Sequence, residues 1–296
     1  MNYERFKRAV MEQILDHLPD GREGWTVKME QVRKVNRLLD GMVLIPPKEW
    51  EARHGVGITF YMEDYYTLFR KGMPLEQILE QIGQMTLNCA PPDTLKEAFF
   101  HPERMKHQIV MELIHRERNQ TLLEDLPHRD FLDLAVIYRI LMKDEERGYF
   151  CTTISYNMMK LLEMTEEALY QAACLYMPSE LPFGVRNFDG KFIILSNSSQ
   201  MFGASALLFP DVLDMACEAL GGDVYILPAS GDKICLEIAN PQRLEELQKM
   251  VWDFYHMGND PEDVLSDQIY FYRMHSGQVQ ITEQAARVAE GEGGVS

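Results

Sequence analysis

Long apolar runs are missing from this chain of 296 residues. No stretch approaches the roughly 18–20 apolar residues that a membrane span needs. Paired cysteines are missing as well. The five cysteines are Cys89, Cys151, Cys174, Cys217 and Cys235, the smallest gap is 18 residues, and no Cys-x-x-Cys occurs. That spacing excludes a zinc ribbon and a disulfide framework, and it reads as reduced, mostly buried thiols acting as small hydrophobes. Basic residues are scarce, with 29 Lys and Arg against 46 Asp and Glu for a net charge of −17. The opening segment Met1–Lys7 mixes both signs of charge and lacks the apolar centre of a signal peptide. A cytoplasmic chain is therefore expected. With 46% apolar residues the composition is that of a folded protein.

The charge is unevenly placed. Residues 1–100 carry 13 basic and 15 acidic residues, residues 101–180 carry 9 and 14, and residues 181–296 carry 7 and 17. An acidic C-terminal third repels phosphate backbones and anionic lipid, so neither nucleic acid nor membrane is expected as the main partner. Local basic density survives only in Arg5/Lys7/Arg8 and Arg33/Lys34/Arg37, which read as solvated faces. Weak nucleic-acid contact through the second group is a minor alternative.

The pattern of apolar residues gives an α+β chain. Phe6, Val10, Ile14 and Leu18 mark an opening helix, stopped by Pro19-Asp20-Gly21. Strand-like runs Thr26–Val32 and Met42–Ile45 flank a polar turn at Asp40-Gly41, and Gly57–Tyr61 is a third strand. Pro74 opens a helix with Leu75, Ile78, Leu79 and Ile82 on one face. This helix–hairpin–strand–helix module is expected over residues 1–90, ending at Ala90-Pro91-Pro92-Asp93.

The remainder, residues 91–282, reads as a larger domain with mainly antiparallel strands, divisible near 178–190. Ile109–Ile114 and Leu134–Met142 are strands by their Val, Ile and Tyr content, and Tyr149–Ser155 is the antiparallel partner of the second. Thr165 caps a helix through Tyr176. Phe192–Leu195 is a strand, Pro210–Leu220 a helix, and Val224–Leu227 with Ile234–Ile238 a hairpin about Ser230-Gly231-Asp232. Asn240-Pro241 caps a helix whose Leu244, Leu247, Val251, Phe254 and Tyr255 face inward. Gln268–Tyr272 closes the sheet, and residues 283–296 are a flexible tail.

Leu126–Tyr138, Val224–Ser230 and Pro261–Tyr270, with the Asn2–Leu18 helix, resemble an uncharacterised bacterial family classed as a domain of unknown function. The resemblance spans nearly the whole chain and extends more distantly to another uncharacterised family. Where that family has Pro-Ser-Ser-Ile-His-Glu after its equivalent of the Val224 strand, this chain has Pro228-Ala-Ser-Gly-Asp-Lys233, without the His and Glu. The resemblance implies a bacterial cytoplasmic protein and one full-length architecture, with no catalytic residue to carry over.

Catalytic spellings fail in context. His128-Arg129-Asp130 copies the start of a kinase catalytic loop, but Ala135 stands where the metal-binding Asn belongs and no Gly-x-Gly-x-x-Gly precedes it. The segment reads as a polar turn that caps the next apolar element, or as a binding surface of Arg116, His128, Arg129, Asp130 and Asp133 with nearby Arg118. Ser230-x-x-Lys233 lies in a hairpin turn rather than at a helix start. Gly203-Ala-Ser205-Ala-Leu207 lacks the final glycine of a nucleophile elbow, which makes the serine strand filler. Histidines 101, 107, 115 and 128 are not spaced as metal ligands. Asp260, Glu262, Asp263 and Asp267 read as a solvated acidic turn, and Asp211/Asp214 and Glu163/Glu166/Glu167 as helix-start acids. The 19 methionines are core filler or an adaptable partner surface. No cofactor or metal is expected, and nothing sets an oligomeric state. The leading expectation is a non-catalytic binding or adaptor protein for a protein or peptide of basic or neutral charge. The alternative is a hydrolase with a site assembled from scattered Asp, Glu and His residues, with or without a divalent metal.

Overall fold

A computed structural model describes residues 1–18, 23–48, 58–88, 101–144, 148–188, 192–256 and 265–282. The chain divides into two compact units, Met1–Phe100 and His101–Ser296. The expected module end at residue 90, Cys89, the Pro19 stop, most of the acidic turn at 260–263 and the tail at 283–296 lie outside the described residues. The class is α+β with antiparallel sheets.

In the first unit, helix α1 (Tyr3–Gln13) starts where the Asn2 side chain accepts the Arg5 amide. It continues as a 3-10 turn over Ile14–His17. Strands β1 (Thr26–Lys34), β2 (Arg37–Ile45) and β3 (Ile58–Tyr61) form a sheet in that order. Helices α2 (Met62–Arg70) and α3 (Leu75–Asn88) come next. Phe6, Val10, Ile14, Met42, Leu44, Phe60, Ile78 and Ile82 share one buried core.

The hairpin turn is not at Asp40-Gly41. Lys34 pairs with Arg37, so the loop is Val35-Asn36, with Asn36 at φ 58°. Asparagine tolerates that left-handed conformation. Gly41 instead sits within β2, where a Cβ would lie 2.6 Å from Val32 and 2.8 Å from Thr59 side-chain carbons. Its glycine serves close strand packing rather than a turn.

The second unit holds two sheets. In the first, β4 (Ile109–His115) pairs with β6 (Leu134–Asp144), whose other side pairs with β5 (His128–Phe131) and β7 (Gly148–Thr153). A short helix α4 (Tyr156–Leu161) leads to α5 (Glu166–Glu180), which packs on β4 and β6 and is capped by Thr165 accepting the Ala168 amide. The second sheet begins with β8 (Phe183–Phe188) and β9 (Phe192–Asn197). After α6 (Pro210–Leu220) come β10 (Val224–Ser230), β11 (Lys233–Ile238), α7 (Leu244–His256), β12 (Tyr270–Tyr272) and β13 (Val279–Ile281). Spatial order is β13-β12-β10-β11-β9-β8.

Four expectations for this unit need correction. His128-Arg129-Asp130 is a strand, because Ala135, Val136 and Ile137 offer it a paired edge; the turn is Leu132-Asp133, with Leu132 at φ 57°. Gly203–Leu208 is a 3-10 turn, and Ser205 is fully buried with its hydroxyl donating to the Met111 carbonyl at 2.8 Å. Phe254 is exposed rather than inward. Of the four described cysteines only Cys217 is buried, and Cys151 is exposed. Strands β8 and β13 have no counterpart in the sequence reading: β8 carries Gly184 and exposed Arg186, and β13 is three residues long.

Candidate functional site

Four of the five candidate residues lie in the β5–β6 hairpin; Arg116 meets two of them, Asp130 and Asp133, while His128 and Arg129 take other partners. Arg116 lies just past β4. Its amide donates to the Asp133 carbonyl at 3.1 Å, and its guanidinium meets Asp130 at 3.0 Å across exposed surface. His128 places Nδ1 2.9 Å from the Leu126 carbonyl, which fixes the ring against its own chain. Arg129 and Asp130 alternate on β5, so they leave opposite faces of the sheet.

Arg129 points to the start of α5. Its guanidinium donates to Glu166 at 3.1 and 3.2 Å and to Glu167, and it lies 4.0 Å from the Tyr170 ring centre. A planar guanidinium can hold two carboxylates and a ring face at once. Burial opposes its charge, yet the two glutamates more than compensate and raise its pKa. Tyr138, fully buried on β6, donates its hydroxyl to Glu166. Burial and then Glu166 push that phenol well above its usual value. Glu167 is held low by the Gln171 amide and then by Arg129.

Asp133 joins the two sheets. Its carboxylate accepts the Ser266 hydroxyl at 2.6 Å and the Tyr270 hydroxyl at 2.7 Å. Tyr270 has no exposed surface, and burial together with the neighbouring Asp133 raises its pKa well above normal. Asp133 is thus a fastener between the hairpin tip and β12.

Two clefts open beside these pairings. One, of about 290 Å³, lies between β5, α5, α6 and the β12–β13 edge, with Arg129, Phe131, Tyr170, Leu213, Tyr272 and Val279 among its walls. Tyr272 donates to Asp214 at 2.9 Å, and burial with that carboxylate pushes the phenol up to about 12. Asp214 is held low, first by the His275 backbone amide at 2.7 Å. The other cleft, about 580 Å³, is bounded by charged side chains including Arg116, Arg118, Asp133 and Asp267. Among the described residues no group of three His, Cys, Asp or Glu is placed to hold a metal ion.

The model of a family of unknown function, DUF5688, matches residues 3–192 and 185–274. The chain belongs to this family. A search of curated proteins gives no match, and a search of solved structures gives none. The match to DUF5688 reaches into both compact units and includes the β5–β6 hairpin. No described helix is long and apolar enough to cross a membrane.

Sequence reasoning reached Arg129 and Asp133 but missed what they hold. Tyr138 is hidden in an apolar run, Glu166 and Glu167 look like dipole-favoured acids of a first helical turn, and Tyr170 looks like core. The one available signal was the i, i+4 spacing of Glu166 and Tyr170 on a single helix face.

Proposed function

We propose that this chain is a non-catalytic binding protein of the bacterial cytoplasm, and that its second unit takes a protein or peptide partner of basic or neutral charge. The observation that carries the reading is the 290 Å³ cleft: apolar walls from Phe131, Leu213 and Val279 stand beside polar groups that are already paired within the fold. Its volume sits at the low end of small-ligand pockets, roughly 300–1,000 Å³, and suits an anchoring side chain. Residues 101–296 carry 16 basic and 31 acidic residues, which favours a cationic partner by long-range attraction. Free cysteines in both sheets agree with a reducing compartment.

The hydrolase alternative needs acids and bases that converge on one point. His128, Asp130 and Asp133 instead serve three separate contacts, which weighs against a site built from them. The test is selection of displayed random peptides on the immobilised full chain, run beside turnover assays with generic ester, phosphoester and peptide substrates. Enrichment of peptides rich in Lys or Arg, with no turnover, is the expected result. No enriched sequence, or turnover lost in Asp130→Asn, would overturn it.

A further inference from the structure

Among the described strands, β5 pairs only with β6. Phe131 faces Leu134 and Arg129 faces Val136 across a two-residue loop, which makes these the hydrogen-bonded pairs of the hairpin. The amide and carbonyl groups of His128 and Asp130 therefore point away from β6. Among the described strands none pairs with that edge. An unpaired strand edge is a template for another extended chain.

The 290 Å³ cleft begins at this edge, since Arg129, Asp130 and Phe131 all border it. Asp130 borders the same opening, and the carboxylates of Glu166, Glu167 and Asp214 bond to two of its wall residues, Arg129 and Tyr272. Two guanidinium groups meet these acids, Arg116 on Asp130 and Arg129 on the glutamates. Asp130 and Glu167 are more than half exposed, at 62% and 61% of their side chains, so both can meet a further cation. Arg129 is held between two glutamates and a ring, which leaves its charge compensated rather than available to an anion.

We propose that the β5 edge and this cleft form a docking groove for a short, extended, basic peptide segment. Its backbone pairs with His128 and Asp130, one apolar side chain enters between Phe131, Leu213 and Val279, and a neighbouring Lys or Arg, on the opposite face, meets Asp130. Alternation makes the two demands compatible: successive side chains of an added strand point to opposite faces, so an anchor and a cation occupy adjacent positions. The proposal deepens the binding reading above and rests on it.

Fluorescence polarisation with the full chain tests it, using a labelled peptide of about eight residues that alternates Leu and Lys, a length close to one strand. Two control peptides replace Lys by Glu, or carry N-methyl groups on alternate amides. The Lys peptide is expected to bind about tenfold or more tightly than either control, with the preference for Lys shrinking as salt rises. Val279→Arg, which fills the cleft from its rim, and Asp130→Lys, an exposed change, are each expected to weaken binding about tenfold. Leu175→Lys, on the exposed side of α5, is expected to leave it unchanged. Equal binding of the N-methylated peptide, or indifference to both rim variants, overturns the groove while peptides enriched by display keep the binding reading alive. If sedimentation shows a dimer that Val279→Arg dissolves, the occupant is a second copy and the proposal falls. Absence of any enriched displayed peptide counts against the broader reading instead.

Discussion

The two units solve the same problem with different chemistry. The first packs aromatic rings on one another: Phe6 lies 5.4 Å from Tyr66 and 5.3 Å from Phe69, ring centre to ring centre, and Tyr3 lies 5.1 Å from Tyr66. The second anchors tyrosine hydroxyls on carboxylates that belong to other elements. Tyr138 reaches Glu166, Tyr149 reaches Glu180, Tyr270 reaches Asp133 and Tyr272 reaches Asp214. Ring packing is non-directional and tolerates small shifts. A phenol on a carboxylate has one geometry, and it fixes which helix or strand sits where. The lesson is that the acidity of the second unit is partly structural: several of its carboxylates are acceptors inside the fold.

Removing a ring from the first unit is expected to give the largest loss. Phe6→Ala deletes a fully buried side chain at the centre of the ring cluster and should cost about 3–5 kcal/mol in chemical denaturation. Hydrogen exchange should show the loss confined to residues 1–100. Asp133→Ala should come next, at about 2–3 kcal/mol, because it leaves the buried Tyr270 hydroxyl without its acceptor. Asp133→Asn, which keeps an acceptor oxygen, should cost less. If both variants are neutral, the contrast between the units does not hold.

Alkaline pH acts on both units, since burial and then Glu63 also hold the Tyr3 phenol of the first well above its ordinary value. The phenol of Tyr272 titrates near its ordinary value of 10 when unfolded and near 12 when folded. Its contribution is therefore complete below pH 10 and is lost as pH rises through 12. Tyr176 behaves in the same way, raised to about 12 by burial and then by Glu180. Thermal melts between pH 9 and 12 should fall with pH, and Tyr272→Phe should flatten the decline. The smallest expected change is Thr165→Ala, which removes the cap of α5 at a cost of about 1 kcal/mol. Because α5 holds the glutamates that grip Arg129, the same variant should loosen that pairing in exchange measurements.

How much of the fold was legible depends on the range of each interaction. Apolar spacing placed α1 and α3, Val, Ile and Tyr content placed β4 and β6, the turn at Ser230-Gly231-Asp232 placed the β10–β11 hairpin, and Thr165 marked the start of α5. Polar character misled at His128–Asp130, where strand formation depends on a partner edge rather than on the segment itself. It misled again at Gly41, chosen for its neighbours Val32 and Thr59 and not for a turn. At the candidate site the residues were visible but their partners were not. Glu166 is 37 positions from Arg129, and Tyr270 is 137 from Asp133. No spacing rule connects such pairs.

That last separation bears on how the chain is made. Contacts between distant positions are slow to form, because a long loop must close before they repay its entropy. The first unit lies wholly within the first hundred residues and can complete its ring cluster early in synthesis. The second cannot fasten its two sheets until Ser266 and Tyr270 have emerged, long after the hairpin that carries Asp133. During that interval the tip of the hairpin stands without its partners, and the Asp133 fastener is the step that ends the wait.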